Sequence, residues 1–178
     1  MEIVKIYPPY LYSIIEEGDV DVFHQLFENW TSVEWLMSFF ESHHTQMDSV
    51  FWGKVVDPEI ASSRTLQEAY DMEDKIYELA DNSRVGEVPN FDTYFVPLGG
   101  EYTYVWDHTP VKAYGPENPS LLRLYAIKIE SNCYLITGGG VKYCKTMKES
   151  EELKKELATI KRVKDYLKEC GINTQEDI

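Results

Sequence analysis

The stretch LLRLYAIKIESNCYLITGGGVKYCKTM, from Leu121 to Met147, decides the predicted fold. LLRLYAIKIE predicts a strand, ESN a turn and CYLIT a second strand, because β-branched and aromatic runs flanking a short polar turn favour an antiparallel hairpin. Three glycines, Gly138 to Gly140, follow. Glycine loses more backbone freedom on folding than any other residue. We therefore expect them to end the strand in a tight turn, where a substrate can approach the backbone.

A helix is predicted after the hairpin, with Ser150 as its N-cap and Glu151 and Glu152 favoured by the helix dipole in the first turn. Gly171 stands at its expected C-terminal stop. Its apolar stripe has helical spacing and consists of Leu153, Leu157, Ile160, Val163 and Leu167.

Two β-prone segments, residues 4–7 and 10–15, begin the chain and are separated by two prolines that a central strand would not tolerate. Three helices should follow. Either Asp19 or Asp21 is the expected N-cap of the first. Capping-box patterns at Thr31-x-x-Glu34 and Thr65-x-x-Glu68 predict the starts of the second and third.

The chain is expected to form a single domain, residues 1–178, with three parts. Residues 1–85 are an acidic segment of strands and helices. Residues 86–120 are a connector rich in proline, glycine and aromatic residues, with short strands expected at 93–96 and 102–106. Residues 121–170 contain the hairpin and the last helix.

The net charge of −14 is unevenly distributed along the chain. Residues 121–170 carry eleven Lys and Arg against seven Asp and Glu, whereas residues 1–120 carry six against twenty-two. A local basic region can dock an anionic ligand even when the whole chain is acidic. The alternative is that the acidic residues only keep the protein soluble.

The sequence lacks the motifs of several enzyme and nucleotide-binding classes. The chain has neither a G-x-S-x-G nucleophile elbow nor the phosphate-binding or dinucleotide-binding glycine patterns. No apolar run approaches the roughly 20 residues of a membrane-spanning helix, and the N-terminus does not resemble a signal peptide. We therefore expect a cytoplasmic protein with no membrane partner and with reduced thiols at Cys133, Cys144 and Cys170.

The remaining candidates for chemistry lie in and after the hairpin. Arg123 and Tyr125 should share one face of a strand, because side chains alternate with a period of two. Lys142, Tyr143 and Lys145 follow the glycines. The alternative is an ordinary arginine on a solvent-exposed strand face.

Residues 120–170 resemble the core hairpin and C-terminal portion of RelE/HigB-type toxins, members of the RelE/ParE superfamily of bacterial toxin–antitoxin modules. The shared pattern is a strand with an arginine, an apolar strand, a glycine-containing segment with a basic residue, and a helix. The resemblance implies an α+β fold with helices packed on a curved antiparallel sheet, here with an N-terminal helical elaboration. It also implies cleavage of messenger RNA at the ribosome and a small antitoxin-like protein as partner, although the ParE branch acts on gyrase instead.

Cleavage of RNA without a metal or cofactor directs the 2′-hydroxyl onto its own phosphate. It requires a base, cations for the phosphoryl oxygens and an acid for the leaving 5′-oxygen. Arg123 suits a bidentate phosphate contact, and Lys142 could either stabilise the developing charge or protonate the leaving oxygen. Lys145 and Tyr143 are further catalytic candidates. Tyr125, which could stack on a base, and Lys128 are the candidate substrate-binding residues.

Two other function classes stay open at this point. The tyrosine-rich acidic half suits a non-catalytic protein-binding module, since Tyr and Trp carry much of the energy of interfaces. That module would be a diverged RelE-like fold without ribonuclease activity. The charge of −16 on residues 1–120 also fits an acidic mimic of nucleic acid.

Overall fold

The structure is a computed structural model that describes residues 1–47, 52, 57–98, 108–117, 119–143 and 151–178. Its architecture is mixed α+β: one six-stranded sheet in the order β1-β2-β6-β5-β4-β3, with helices on both faces. The strands are β1 (Glu2–Tyr7), β2 (Leu11–Ile15), β3 (Val96–Pro97), β4 (Thr109–Tyr114), β5 (Leu122–Glu130) and β6 (Cys133–Val141).

The helices in the described residues cover the two faces of the sheet unequally. They are α1 (Val22–Trp30), α2 (Val33–Ser42), α3 (Pro58–Val85), the single turn α4 (Phe91–Tyr94) and α5 (Glu151–Cys170). Helices α1, α2 and α3 share one apolar cluster with the sheet. Helix α5 contributes Ile160, Val163 and Leu167 to a second cluster on the opposite face.

The predicted β5–β6 hairpin is confirmed as the antiparallel centre of the sheet. The expectation of a wholly antiparallel sheet is wrong, because β2 pairs with β6 in parallel. Parallel neighbours need a long crossover connection, and the helices and strands between β2 and β6 supply it. The register joins β2 only to residues Tyr134, Leu135 and Ile136 of β6. The glycine-containing end of β6 therefore extends beyond β2.

The helix starts differ in part from those the capping patterns predict. Asp21 is the N-cap of α1, where its side chain accepts from the backbone of His24, as one of the two alternatives predicted. Helix α2 is capped by Ser32 rather than Thr31, whose hydroxyl donates to the Phe27 carbonyl at 2.6 Å instead. Serine accepts the same capping hydrogen bond as threonine. Helix α2 therefore begins one residue later than predicted.

Helix α3 begins well before the predicted Thr65. Asp57 is its N-cap, and Pro58 occupies the first turn, where a missing N–H costs nothing. Thr65 lies inside the helix, and its hydroxyl donates to the Ala61 carbonyl. The helix ends at Gly86, which adopts a left-handed conformation with φ of 76°.

The connector contains more structure than its composition predicts. Strand β4 was not predicted, and residues 91–94 form the turn α4 where a strand was expected to start. Pro110 lies within β4, and a proline normally argues against a strand. The strand expected at 102–106 falls outside the described residues.

The expectation that the glycines end a strand is wrong: Gly138, Gly139 and Gly140 all lie inside β6, which continues to Val141. Gly171 confirms the predicted end of α5, with φ of 70°. The predicted cap at Ser150 lies outside the described residues. Among the described helices, none has both the length and the apolarity to cross a membrane.

Candidate functional site

A cavity of about 210 Å³ opens where the glycine end of β6 meets the start of β5, helices α1 and α2, and the first half of α5. Its walls combine aromatic rings, three basic side chains and one carboxyl group. Its lining residues are Leu26, Asn29, Trp30, Trp35, Phe39, Arg123, Tyr125, Gly139, Gly140, Val141, Lys142, Lys155 and Glu156. It therefore contains three of the six predicted site residues: Arg123, Tyr125 and Lys142.

Arg123 is held by the backbone at the start of β5. Its Nη1 donates to the Ser120 carbonyl and hydroxyl at 3.0 and 2.8 Å and to the Leu122 carbonyl at 2.7 Å. The guanidinium lies over the Tyr114 ring, 4.2 Å from its centroid. Burial lowers the pKa of Arg123, and the neighbouring Tyr114, Tyr125 and Glu68 act in the opposite direction.

No carboxylate in the described part of the chain forms an ion pair with Arg123. A negative charge reaches Arg123 only through an intervening hydroxyl group. The Ser120 hydroxyl accepts from Arg123 and donates to the buried carboxylate of Glu68 at 2.7 Å. A half-buried guanidinium with only neutral acceptors favours an anionic ligand, since charge-assisted bonds are stronger than neutral ones.

The position of Lys142, just after β6, follows from the same hairpin. Its backbone N–H donates to the Leu121 carbonyl at 2.6 Å, which extends the β5–β6 pairing past Val141. Arg123 of β5 and Lys142, the residue that follows β6, then line one cavity. Tyr125 is 9% exposed and lies two residues from Arg123 on the same strand face, as predicted.

The glycines permit close packing against β6. A Cβ on Gly139 would lie 2.8 Å from the Arg123 carbonyl oxygen, 2.8 Å from Leu26 Cδ1 and 2.9 Å from Trp30 Cη2. Helix α1 can therefore approach the strand only because this residue has no side chain. Gly140 differs, since a Cβ there would meet nothing within 4 Å.

Gly138 makes room for the side chain of Glu156 on α5. A Cβ on Gly138 would lie 1.7 Å from Glu156 Oε2, so this carboxyl group rests on the bare strand backbone. The Oε2 atom is enclosed and has no hydrogen-bond partner among the described residues. Burial, reinforced by the charge of Glu16, raises the pKa of Glu156 to about 7.

A second cavity, of about 230 Å³, lies on the other side of Glu156. The two cavities share Leu26, Asn29, Gly139 and Glu156. Thr137 lines the second cavity at 2% exposure, and its hydroxyl is likewise enclosed without a partner in the described ranges. Buried polar atoms without partners are uncommon in folded proteins, and here two of them line one cavity.

The other predicted site residues are elsewhere. Tyr143 is 3% exposed, its hydroxyl donates to Gln46 Oε1 at 3.3 Å, and its ring lies 4.6 Å from that of His43. It packs with α2 and is not among the residues that line the cavity with Arg123. Lys128 forms an ion pair with Asp92 at 2.6 Å near the β5–β6 turn, away from the cavity lining. Lys145 lies outside the described residues.

Sequence reasoning missed Glu156, Trp30 and Trp35 as site residues. Glu156 is one of several acidic residues in a helix rich in Glu and Lys, and such runs usually face solvent. The only local signal was the glycine run, because a strand residue without a side chain can mark a close approach. That signal does not say which side chain approaches.

The cavity combines the groups required for proton transfer next to a bound anion. These are cations on β5, after β6 and on α5, aromatic walls and a carboxyl group with a pKa near neutrality. Among the described residues, no cluster of three or more His, Cys, Asp or Glu side chains could hold a metal ion.

The resemblance to the RelE/ParE superfamily stays a prediction. Comparison of the chain with protein-family models, curated proteins and solved structures finds no match.

Proposed function

We propose that the protein is a toxin-like, metal-independent endoribonuclease whose substrate binds in the Arg123 cavity. The observation that carries this proposal is the half-buried Arg123 guanidinium, which has no carboxylate partner in the described residues and lies beside Lys142 in an aromatic-lined cavity. An anion with a planar ring attached suits these walls, and a nucleotide has both parts.

Each group then has a role that its position supports. Arg123 binds the scissile phosphate, and Lys142 either stabilises the charge that develops there or protonates the leaving oxygen. Tyr125 and the half-buried Trp35 offer ring faces for a base, which favours single-stranded RNA. The phosphate contacts of Arg123 and Lys142 should make binding salt-sensitive, and the acidic remainder of the chain weakens long-range attraction to RNA.

A toxin-like ribonuclease requires a partner that neutralises it. We propose a small antitoxin-like protein that covers the cavity and contacts Arg123 and Lys142. Induction of the native chain alone should arrest the growth of a bacterial culture, and Arg123→Ala or Lys142→Ala should relieve the arrest at equal protein level.

The direct test measures cleavage of a short single-stranded RNA by the purified chain in the presence of EDTA. We expect Arg123→Ala to reduce the cleavage rate by about 10²-fold, as the loss of one preorganised charge-stabilising group typically does. Arg123→Lys keeps the charge but not the bidentate geometry, so it should restore only part of the rate.

The matched control is Arg84→Ala, which removes the same charge from an exposed pair with Asp81 that does not line the cavity. It should cleave RNA at the native rate. Absence of cleavage by the native chain under all conditions would contradict the proposal. If the native chain binds RNA or a protein at this cavity without cleaving RNA, the non-catalytic binding module becomes the better description.

A further inference from the structure

Helix α5 brings one carboxyl group, that of Glu156, against the glycine end of β6. The approach is possible only because Gly138 has no side chain, since a Cβ there would lie 1.7 Å from Oε2 and 2.7 Å from Cδ. Residues Thr137–Val141 have no β2 partner in the described register. The carboxyl group therefore lies over the face of β6 at Gly138, and Glu156 lines both cavities.

Two independent observations indicate that this place receives a ligand. Glu156 lines both cavities, so a molecule in the Arg123 cavity can reach it. In addition, Glu156 Oε2 and Thr137 Oγ1 are both enclosed without partners among the described residues. Leaving a buried acceptor unsatisfied is destabilising, and a hydroxyl group of a ligand could satisfy either atom.

We propose that Glu156 is the proton acceptor of the site and removes the proton from the 2′-hydroxyl of a ribonucleotide bound beside Arg123. This inference rests on the proposed ribonuclease function. The 2′-oxygen forms a bond to phosphorus as its proton moves to Glu156, and the bond from phosphorus to the 5′-oxygen breaks. The leaving oxygen takes a proton from Lys142. Glu156 then returns its proton through water to Lys142, and the products are a 2′,3′-cyclic phosphate and a 5′-hydroxyl.

The electrostatic environment suits a group that must both accept and release a proton. Burial and the neighbouring Glu16 raise the pKa of Glu156, and Glu16 is itself bound by Arg162 at 2.8 Å. A general base works best when its pKa lies near the working pH. The charged and titratable groups that line the two cavities with Glu156 are Glu16, Arg123, Tyr125, Lys142 and Lys155.

The test compares Glu156→Gln with Arg123→Ala in single-turnover cleavage and in RNA binding followed by fluorescence anisotropy. We expect Glu156→Gln to bind RNA as the native chain does but to cleave it about 10²-fold or more slowly. Arg123→Ala should weaken binding as well. The native rate should rise with pH through about 7 and then level off, and Glu156→Gln should lose this rise.

Two further variants separate a chemical role from a structural one. Gly138→Ala forces the carboxyl group aside without removing it, so cleavage should fall while RNA binding stays near native. Glu169→Gln makes the same change at an exposed position of α5 and should leave both unchanged. Thermal unfolding of each variant verifies that it is folded.

The outcomes distinguish this inference from the proposed function. If the native chain cleaves RNA and Glu156→Gln cleaves it at nearly the same rate with the same pH dependence, the inference is wrong and the ribonuclease proposal stands. If the native chain binds RNA but does not cleave it, both are wrong.

Discussion

Gly139 shows how a single missing side chain builds the site. Three atoms lie within 3 Å of the place its Cβ would occupy, one in the Arg123 backbone and two in the side chains Leu26 and Trp30 of α1. A backbone atom and an indole ring buried in the core cannot move aside cheaply. Gly139 therefore sets the distance between α1 and β6 and, with it, the width of the cavity.

We predict that Gly139→Ala destabilises the protein by about 1–3 kcal/mol, the usual cost of overpacking a well-packed core. Gly140→Ala is the matched control, since its Cβ meets nothing within 4 Å. Alanine restricts the conformations of the unfolded chain, so Gly140→Ala should be as stable as the native chain or more stable by up to about 1 kcal/mol. Urea unfolding measures both, and equal stability of the two variants would contradict the packing argument.

The sequence could identify part of the site at this scale. Arg123 and Tyr125 share a face because strand side chains alternate, and hairpin pairing brings Lys142 next to them. Glu156 could not be found in this way. Its distance from Gly138 depends on how α5 packs across the sheet, and no spacing within either segment encodes that packing.

At the scale of elements, Asp92 joins the turn α4 to the β5–β6 hairpin. Its carboxylate accepts from Lys128 Nζ at 2.6 Å, Tyr134 Oη at 2.6 Å, the Asn132 backbone at 3.0 Å and the Ser131 hydroxyl at 2.8 Å. Burial alone would raise the pKa of Asp92, but these hydrogen bonds lower it to about 2. The ionised form is therefore the one that stabilises the fold.

We predict that this stabilisation, about 2 kcal/mol, is present above the unfolded pKa of about 3.9. It should be lost as the pH falls from about 4 to about 2, because the unfolded chain binds the proton first. Asp92→Asn should therefore be less stable than the native chain at neutral pH, and the difference should shrink through this acid range. Urea unfolding at a series of pH values measures it.

The control for Asp92 is Asp81→Asn, which alters an exposed pair with Arg84. Exposed pairs contribute little, so this variant should follow the native pH dependence throughout. A constant difference between Asp92→Asn and the native chain from neutral to acid pH would mean that the Asn disturbs the hairpin for another reason than charge.

The elements differ in how well the sequence predicts them. The β5–β6 hairpin and helix α5 are local patterns and are confirmed. Of the predicted apolar stripe of α5, Ile160, Val163 and Leu167 are buried, whereas Leu157 is exposed. Strand β4 was missed because Pro110 opposes a strand locally, whereas its pairing with β5 decides the outcome. The start of α3 was misplaced because Asp57-Pro58 and Thr65-x-x-Glu68 are both good start signals.

At the scale of the whole molecule, the parallel pairing of β2 with β6 could not be predicted. Leu11 and Tyr134 are far apart in the sequence, and the residues of neither segment indicate which strand it pairs with. The same is true of Glu68, which formed half of the Thr65 capping-box pattern. It is instead completely buried and connects the middle of α3 to the start of β5.

Glu68 attaches α3 to the start of β5 through buried hydrogen bonds. Its carboxylate accepts from the Leu121 and Leu122 backbones at 2.9 to 3.2 Å and from the Ser120 hydroxyl at 2.7 Å. The Ser120 hydroxyl in turn accepts from Arg123. One buried carboxylate therefore supports both the packing of two layers and the position of the cavity's arginine.

We predict that Glu68→Ala destabilises the protein by about 3 kcal/mol or more, because two buried backbone N–H groups lose their acceptor. Glu68→Gln keeps one acceptor oxygen and should fall between the alanine variant and the native chain. Glu78→Ala is the control on the same helix, where the carboxylate only pairs with Lys75 at the surface, and it should change stability little. Urea unfolding of the four proteins gives this order directly. Equal stability of Glu68→Ala and Glu78→Ala would mean that water reaches the Leu121 and Leu122 amides, and that apolar packing alone holds α3 on the sheet.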